Sequence, residues 1–446
     1  MATFSKRVTF VIWNRIGFLE GILPVFFELK QQYPNIHFVI LILELNKEMV
    51  IGPSKFYDLF CERHNIQMMD TLSFLPTSLR LFESLFRFIS SLGLKYSGQS
   101  NPLVEKITRK FFPYFRDFLR ANIDYKRLQT LIDESDMLLV NEAWWKKLDK
   151  VILECLVNYK NKLIIVPHGS VFLAIPEKYS ENVGVWGIHF KMSEKNILSY
   201  QSHVPLASTN ISFSSLGILN DDRSIFAEIL GFVGYPSFDK FWFEKINSLM
   251  QNHRLPFKGL VPKKNRSFRC LFLIRNVFDK PHQDQTTQQE LEIILRAIRE
   301  EILERYSVEI LVKPHPIQSR VQLKEILDES GIRFYSIVQE PISITLPESD
   351  FAITFQTSGS YFPLLYGLPC IHIYKLDYLN QPLFNLMEQD LKRFVTDLDD
   401  LPNACRALMQ ELHTSQHIAN DVEHMRQFYP DGATNLIIDQ IKGYLE

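Results

Sequence analysis

The sequence predicts an α/β protein with two Rossmann-like, doubly wound domains that face a cleft. The chain has 446 residues, more than a single hydrophobic core usually supports. Apolar residues make up 46% of it and charged residues 22%, which is ordinary globular composition. In both halves, short apolar runs alternate with helical patterns, as in parallel sheets that are covered by helices.

The boundary between the domains is predicted at a polar and basic segment. Residues 258–267 are interrupted by Gly259 and Pro262 and form the expected linker. The first domain then covers residues 1–257 and the second covers 268–446. We expect that the terminal helices of the second domain can pack back on the first.

The first domain is predicted to open with a strand, a helix and a second strand. The apolar runs 7–13 and 36–43 are typical of buried parallel strands. Between them, residues 18–32 place most apolar side chains on one side of a helix. Further strands are expected at 137–140, 163–166, 217–219 and 229–233.

The second domain repeats this alternation after the linker. Strands are expected at 270–274, 308–312, 333–337, 351–355 and 370–374. Helices are expected at 288–305, 319–330, 361–366, 401–412, 417–428 and 433–445.

Residues 71–130 interrupt the alternation and predict a helical insertion in the first domain. The segment carries ten basic and four acidic residues in a chain of net charge −2. Two interpretations stay open at this point. The segment either packs on the first domain with a solvated basic face, or contacts anionic lipid or a lipid-linked acceptor.

Several classes of function lack support in the sequence. The five cysteines are scattered and form no C-x-x-C pair, which predicts reduced, buried thiols in a cytoplasmic protein. No apolar run is long enough to span a bilayer, so membrane contact would be peripheral, at the inner face of the plasma membrane. The net charge gives no overall case for nucleic-acid binding. Because no metal-binding spacing and no glycine-rich nucleotide motif occur, we expect neither a metal nor a resident cofactor.

The end of strand 308–312 carries the most informative motif, Lys313-Pro314-His315-Pro316. The prolines restrict the loop and remove amide donors, which leaves the side chains as ligand groups. Lys supplies charge and His can donate to a phosphate or a nucleotide ring. Structural roles for both side chains remain the alternative.

A hydroxyl-rich turn, Thr357-Ser358-Gly359-Ser360, follows strand 351–355 and precedes a helix. Helix capping and phosphate binding use the same geometry, and the sequence cannot separate them. Arg275 directly follows strand 270–274 and is assigned to the same donor-binding site. Together these loops predict an anion pocket for a nucleotide-activated substrate.

The first domain supplies candidates for a general base. His168, in Pro167-His168-Gly169, follows strand 163–166 and has an intrinsic pKa near neutrality. Glu20 and Glu142 are alternative carboxylates. Asn14, Arg15 and Gly17 form the predicted loop after the first strand, facing the acceptor or a phosphate.

These motifs resemble those of known transferases with the GT-B architecture, which consists of two Rossmann-like domains. Lys313-Pro314-His315-Pro316, Thr357-Ser358-Gly359 and residues 364–369 resemble the capsule Kdo transferases of bacterial surface polysaccharide biosynthesis. Residues 234–239, together with Pro167-His168-Gly169, resemble the CDP-glycerol glycerophosphotransferases.

The resemblance implies a bacterial glycosyltransferase that needs no metal and acts on a capsule or lipopolysaccharide-type acceptor. A sugar, for which a CMP-activated form is one candidate, would pass from the nucleotide donor to a surface-glycan or lipid-linked acceptor. His168 would be the base, His315 a donor ligand, and Thr357 and Ser358 would hold the donor phosphates. Two alternatives remain: a UDP-N-acetylhexosamine 2-epimerase-like enzyme, and a non-catalytic subunit that binds nucleotide.

Overall fold

The structure is a computed structural model. It describes residues 6–12, 16–45, 47, 56–79, 81–88, 114–141, 162–166, 197–201, 230–232, 235–253, 268–275, 284–315, 320–338, 340–355, 357–374, 391–414, 420–427, 429 and 431–445. Within these ranges, no helix is both long and apolar enough to cross a bilayer.

The chain divides into two compact units. The first contains the described residues up to Asp239 together with the C-terminal helix Ala433–Leu445, and the second runs from Lys240 to Tyr429. The predicted linker 258–267 lies outside the described residues. The helix Lys240–His253, which we expected in the first domain, belongs to the second unit.

Aromatic and polar contacts explain why this helix joins the second unit. The ring of Phe243 packs edge-on against that of Tyr366, with centroids 5.3 Å apart. The Tyr366 hydroxyl also lies 3.1 Å from the amide oxygen of Asn247, to which it donates. Both partners of Tyr366 therefore come from one face of the helix, four residues apart.

The first unit contains a sheet of seven parallel strands in the order β3-β2-β1-β4-β5-β6-β7. The strands are β1 Arg7–Ile12, β2 His37–Ile42, β3 Ile66–Asp70, β4 Met137–Asn141, β5 Lys162–Val166, β6 Ile197–Gln201 and β7 Leu230–Phe232. Five of the predicted strands are confirmed, and the expected strand at 217–219 lies outside the described residues. Strands β3 and β6 were not predicted.

The helices of the first unit cover this sheet and extend beyond it. They span Ile16–Gln32, Phe56–Arg63, 81–88, 114–121, Tyr125–Asp133 and Ala433–Leu445. The first of them begins at Ile16, so Gly17 lies in its first turn and not in the predicted loop. Phe26 in this helix packs against Phe10 of β1 and Phe38 of β2, at centroid distances of 5.8 and 5.1 Å.

The predicted helical insertion is confirmed where the structure describes it. Short 3-10 helices at Thr71–Phe74 and Thr77–Leu79 lead into the helices 81–88 and 114–121. Phe86 and Leu119, one from each helix, are buried in a cluster with Leu41 of β2. The insertion is therefore packed against the first sheet.

The second unit contains six parallel strands in the order β10-β9-β8-β11-β12-β13. The strands are β8 Phe268–Ile274, β9 Val308–Lys313, β10 Tyr335–Ile337, β11 Phe351–Phe355, β12 Cys370–Ile373 and β13 Phe394–Val395. All five predicted strands are confirmed, and the two-residue β13 is additional. Counted within the unit, the order is 3-2-1-4-5-6, as in doubly wound dinucleotide-binding folds.

The helices of the second unit match the predicted series with shifted ends. They span Lys240–His253, Asp284–Ile298, Arg320–Glu329, Ile342–Thr345, Tyr361–Tyr366, Leu401–Thr414 and Val422–Arg426. A π-helix, Arg299–Leu303, continues the second of these. The helix predicted at 417–428 is shorter within the described residues, at Val422–Arg426.

Candidate functional site

The second sheet reverses its strand order between β8 and β11. The two strands are neighbours, and the main-chain amide of Arg275 donates to the carbonyl oxygen of Phe355 over 3.2 Å. In open α/β sheets, ligands bind in the crevice outside the carboxyl ends of the strands at such a reversal. The predicted donor-binding loops therefore start at the position where this fold binds ligands.

The strand register brings three of the predicted loops to the same edge. Leu273 of β8 is paired with Lys313 of β9 on one side and with Thr354 of β11 on the other. The segments after Lys313, after Ile274 and after Phe355 thus leave the sheet at one level. Because the strands are parallel, all their carboxyl ends lie at the same edge, and the register sets their common level.

One short segment contacts both predicted motifs. The ammonium of Lys313 donates to the main-chain carbonyl oxygen of Glu340 over 2.6 Å. Two residues further on, the Cδ1 atom of Ile342 would lie 2.8 Å from a Cβ atom at Gly359. Because residue 359 is glycine, the side chain of Ile342 can lie close to the backbone of the turn. Lys313 contacts the same segment through Glu340.

The hydroxyl-rich turn is stabilised by its own side chains. Thr357 caps the 3-10 helix Ser358–Ser360, and its hydroxyl oxygen accepts from the amide of Gly359 at 3.3 Å. The buried Ser360 hydroxyl donates to the carbonyl oxygen of Thr357. Thr357 thus acts as a capping group in this structure, which is one of the two roles left open by the sequence, whereas the Ser360 hydroxyl caps no amide and bonds back to the turn.

The remaining donor-site candidates are partly described. His315, Lys313 and Arg275 are half-buried, whereas Pro316 lies outside the described residues. The carbonyl that binds Lys313 carries no formal charge, so this contact leaves the positive charge of the ammonium in place. The edge of the sheet consequently combines cationic side chains with an imidazole.

Arg320 is a further cationic residue after β9, and sequence reasoning missed it. It is half-buried and begins the helix Arg320–Glu329, which follows β9. Burial lowers the pKa of its guanidinium, and no carboxylate among the described residues raises it again. Acidic residues are preferred in the first turn of a helix, and this helix has none. In the sequence, the arginine at the start of this helix was therefore the signal that could have indicated an anion site.

The carboxyl edge of the first sheet is described only in part. This sheet reverses between β1 and β4, which are paired neighbours. Asn14, Arg15 and His168 follow β1 and β5 but lie outside the described residues. Glu20, in the helix after β1, is buried, with 9% of its surface exposed. Its catalytic role stays a prediction.

Glu20 lies beside a buried tyrosine. Burial raises the pKa of Tyr235 well above its ordinary value, and the negative charge of Glu20 raises it further. A Cβ atom at Gly21 would be 2.6 Å from the Tyr235 hydroxyl oxygen, so glycine lets the phenol reach the helix backbone. The Ser237 hydroxyl donates to the main-chain carbonyl of Glu20.

Asp239 ends the same segment and holds the C-terminal helix. Its carboxylate accepts from the amides of Gly432 at 2.9 Å, Ala433 at 3.0 Å and Thr434 at 2.7 Å. These amides have no partner within a helix, so a carboxylate there is a strong cap. The described residues of the segment 234–239 therefore have structural contacts in the first unit.

No family model matches the chain, and neither does any curated protein. The chain is similar in structure to the UDP-GlcNAc 2-epimerase from Neisseria meningitidis bound to UDP-GlcNAc, at 12% identity, with a TM-score of 0.54, over 98% of this chain and 100% of that chain. It is also similar to S. aureus MnaA solved with UDP, at 13% identity and a TM-score of 0.50, over 99% and 97% of the two chains. The wall teichoic acid polymerase TagF gives a TM-score of 0.50 at 12% identity, over 98% and 88%.

At these identities the similarity establishes the fold. Two parallel sheets, each with the doubly wound strand order, together with neighbours that cover nearly the whole chain, define a GT-B-type protein. The fold class predicted from the sequence is thereby confirmed.

Proposed function

We propose that the protein is a glycosyltransferase that transfers a sugar from a nucleotide donor to a surface-glycan or lipid-linked acceptor. The observation that carries the proposal is the arrangement at the reversal of the second sheet. There, Lys313, His315, Arg275 and the Gly359 turn leave three adjacent parallel strands at one level. Such an edge suits a phosphate-bearing nucleotide.

Positive charge would stabilise the leaving nucleotide. As the acceptor oxygen attacks the anomeric carbon, the bond from that carbon to the donor phosphate breaks and negative charge develops on the phosphate. Lys313 and Arg320 would offset that charge, a part that a metal ion takes in other transferases. His315 would donate a hydrogen bond to the phosphate or the nucleotide ring. This supports transfer without a metal.

The base would come from the first unit. His168 is our first candidate and Glu20 the second, because both belong to loops or helices that follow strands of the first sheet. Either group would accept the proton of the acceptor hydroxyl. Because Glu20 is buried beside Tyr235, its carboxyl group has limited access to water.

Similar structures support a nucleotide as the ligand. The Neisseria meningitidis enzyme was solved with UDP-GlcNAc, S. aureus MnaA was solved with UDP, and TagF was soaked with CDPG. The cytidine nucleotide suggested by the capsule-transferase resemblance and the uridine nucleotide suggested by the epimerases are therefore the two donors to compare first.

An epimerase acting on a UDP-sugar is the second candidate function, favoured by the similarity to the meningococcal enzyme. The two activities are separable by experiment. The protein is incubated with UDP-GlcNAc and with CMP-activated sugars, with and without bacterial glycan acceptors, and products are identified by mass spectrometry. Nucleotide release that depends on acceptor supports the transferase. Conversion of UDP-GlcNAc without acceptor would replace it by the epimerase, and no turnover with nucleotide binding retained would indicate a non-catalytic subunit.

A further inference from the structure

The helical insertion exposes a continuous group of large apolar side chains. These residues, here called the aromatic surface, belong to the helices 81–88 and 114–121. Their exposed fractions are 79% for Leu81, 39% for Phe82, 47% for Leu85, 59% for Phe88, 78% for Tyr114 and 43% for Phe118. Exposed apolar patches of this kind mark sites of contact with a partner or a membrane.

The two helices form one surface because their rings touch. The ring of Phe82 lies 5.7 Å from that of Phe118 and 6.1 Å from that of Phe115. Leu81, Leu85 and Phe88 follow the spacing of one helix face, whereas Phe86 is fully buried on the other side. The sequence therefore provides a second apolar face that the core does not use.

The aromatic surface is held firmly on the first unit. Phe86 and Leu119 lie in its hydrophobic core. Arg87 donates two hydrogen bonds to the carboxylate of Asp70, at 2.6 and 2.8 Å, and this carboxylate is almost completely buried at the end of β3. Binding at this surface would thus need no folding of the two helices, which lowers its entropic cost.

The positive charge of the insertion indicates what binds to the aromatic surface. Residues 71–130 carry ten basic and four acidic side chains, an excess of six positive charges in a chain of net −2. Arg116 and Arg120 lie on the second helix with side chains 37% and 39% exposed, and each is paired with one carboxylate, Asp117 at 3.2 Å and Glu44 at 3.4 Å. Apolar and aromatic side chains beside basic ones are the composition of helices that lie in the interface of an anionic membrane. A symmetric contact with a second copy would instead bring two basic segments together.

We propose that the aromatic surface docks on a lipid bilayer that contains anionic headgroups. Leu81, Leu85, Phe88 and Tyr114 insert among the acyl chains near the headgroups, and the basic side chains contact the anionic lipids. This interaction goes beyond the proposed transfer reaction and does not depend on it. It would hold the enzyme where a lipid-linked acceptor is available.

The test is sedimentation of the full chain with vesicles of phosphatidylcholine alone or mixed with phosphatidylglycerol. The wild-type protein is expected to bind the mixed vesicles at low salt and to be released at high salt. The double variant Leu81→Glu, Leu85→Glu is expected to bind at least about tenfold more weakly, because the apolar area that these two side chains would bury in the bilayer is lost. The variant Phe334→Glu is the matched control, since Phe334 is 73% exposed in the second unit.

Three results would overturn the proposal. They are equal binding to both vesicle types, an equal loss of binding in the Phe334→Glu control, and a solution dimer that the Leu81→Glu, Leu85→Glu variant dissociates. The last result would assign the surface to a second copy. A second pair, Phe88→Ser with Tyr114→Ser, must reproduce the loss, and nucleotide-induced stabilisation measured on every variant separates this proposal from the transferase function.

Discussion

The main-chain amide of Arg275 lies 3.2 Å from the carbonyl oxygen of Phe355 and donates to it. This hydrogen bond joins the end of β8 to the end of β11, where the second sheet reverses its order. The Lys313 loop and the Gly359 turn start beside it. The geometry of the candidate donor site therefore follows from the parallel register of three strands.

Replacing Gly359 by alanine is expected to weaken nucleotide binding more than it weakens the fold. The added Cβ atom would meet the end of the Ile342 side chain at 2.8 Å, and a flexible side chain can move at a cost of about 1 kcal/mol. A bulkier turn then restricts the approach of a phosphate. We predict that the dissociation constant for nucleotide rises about tenfold or more, equivalent to about 1.4 kcal/mol.

Gly432→Ala is the matched control for that substitution. Gly432 has a φ of +94° and nothing within 4 Å of an added Cβ, so the cost is backbone strain of about 1 kcal/mol. The control should lose similar stability in urea unfolding and keep nucleotide affinity. Equal losses of affinity in both variants would mean that the Gly359 turn does not contact the ligand.

Tyr235 should make the protein less stable in alkaline solution. Burial and the nearby charge of Glu20 raise its pKa above the ordinary 10.0 in the folded state. Above pH 10.0 the unfolded chain loses this proton while the folded chain retains it, so stability falls as pH rises. The slope should approach about 1.4 kcal/mol per pH unit for this group. Urea unfolding between pH 8 and 11 measures it, and Tyr235→Phe should show a shallower slope.

Arg269 should be important for folding and unimportant for binding. It is 1% exposed, and its guanidinium donates to Glu309 at 2.8 Å and Glu348 at 2.9 Å, at the amino edge of the second sheet. Arg269→Ala leaves two carboxylates without their partner, and the loss is expected to be about 3 kcal/mol. Arg305→Ala, on a side chain that is 51% exposed, should cost less than about 1 kcal/mol. Comparable losses in the two variants would contradict this assignment.

The described cysteines should not react in the folded protein. Cys61, Cys270, Cys370 and Cys405 are free and buried, and burial is the main cause that raises the pKa of Cys61 and of Cys405 to about 12. Thiolates are the reactive species, so labelling with a thiol reagent should follow unfolding. The experiment uses Cys155→Ser, because Cys155 lies outside the described residues. Rapid labelling of this variant under native conditions would refute the prediction.

Much of the fold was predictable because buried parallel strands are short apolar runs. The strands β1, β2, β8, β9 and β11 were found in this way. Strand β3 was missed because its sequence, Ile-Gln-Met-Met-Asp, places the exposed Gln67 at the second position of an edge strand and so interrupts the apolar run. The boundary at 258–267 stays a prediction, but the grouping of the helix Lys240–His253 with the second unit could not be foreseen, since its contacts with Tyr366 cannot be inferred from the sequence of that helix.

The candidate site was predictable in its motifs but not in its details. Lys313 and the Gly359 turn were recognised from their positions after strands. The sequence could not decide between capping and ligand binding for Thr357, because both use the same hydroxyl and the local hydrogen bond depends on the turn geometry. Arg320 was missed because an arginine at the start of a helix is usually solvated, so its position alone was a weak signal until the structure showed it half-buried.

Nucleotide binding tests the central claim most directly. Melting temperatures are measured with CMP, CDP, UDP, GDP and dTDP for the wild-type protein and for Lys313→Ala, His315→Ala and Arg320→Ala, with Lys324→Ala as control. Lys324 is 55% exposed on the helix that Arg320 begins, and it pairs with Asp328. We predict that at least one nucleotide raises the melting temperature of the wild-type and control proteins, and that the three site variants lose this stabilisation. Stabilisation that is unchanged in all three variants, or absent in the wild-type protein, would contradict the account.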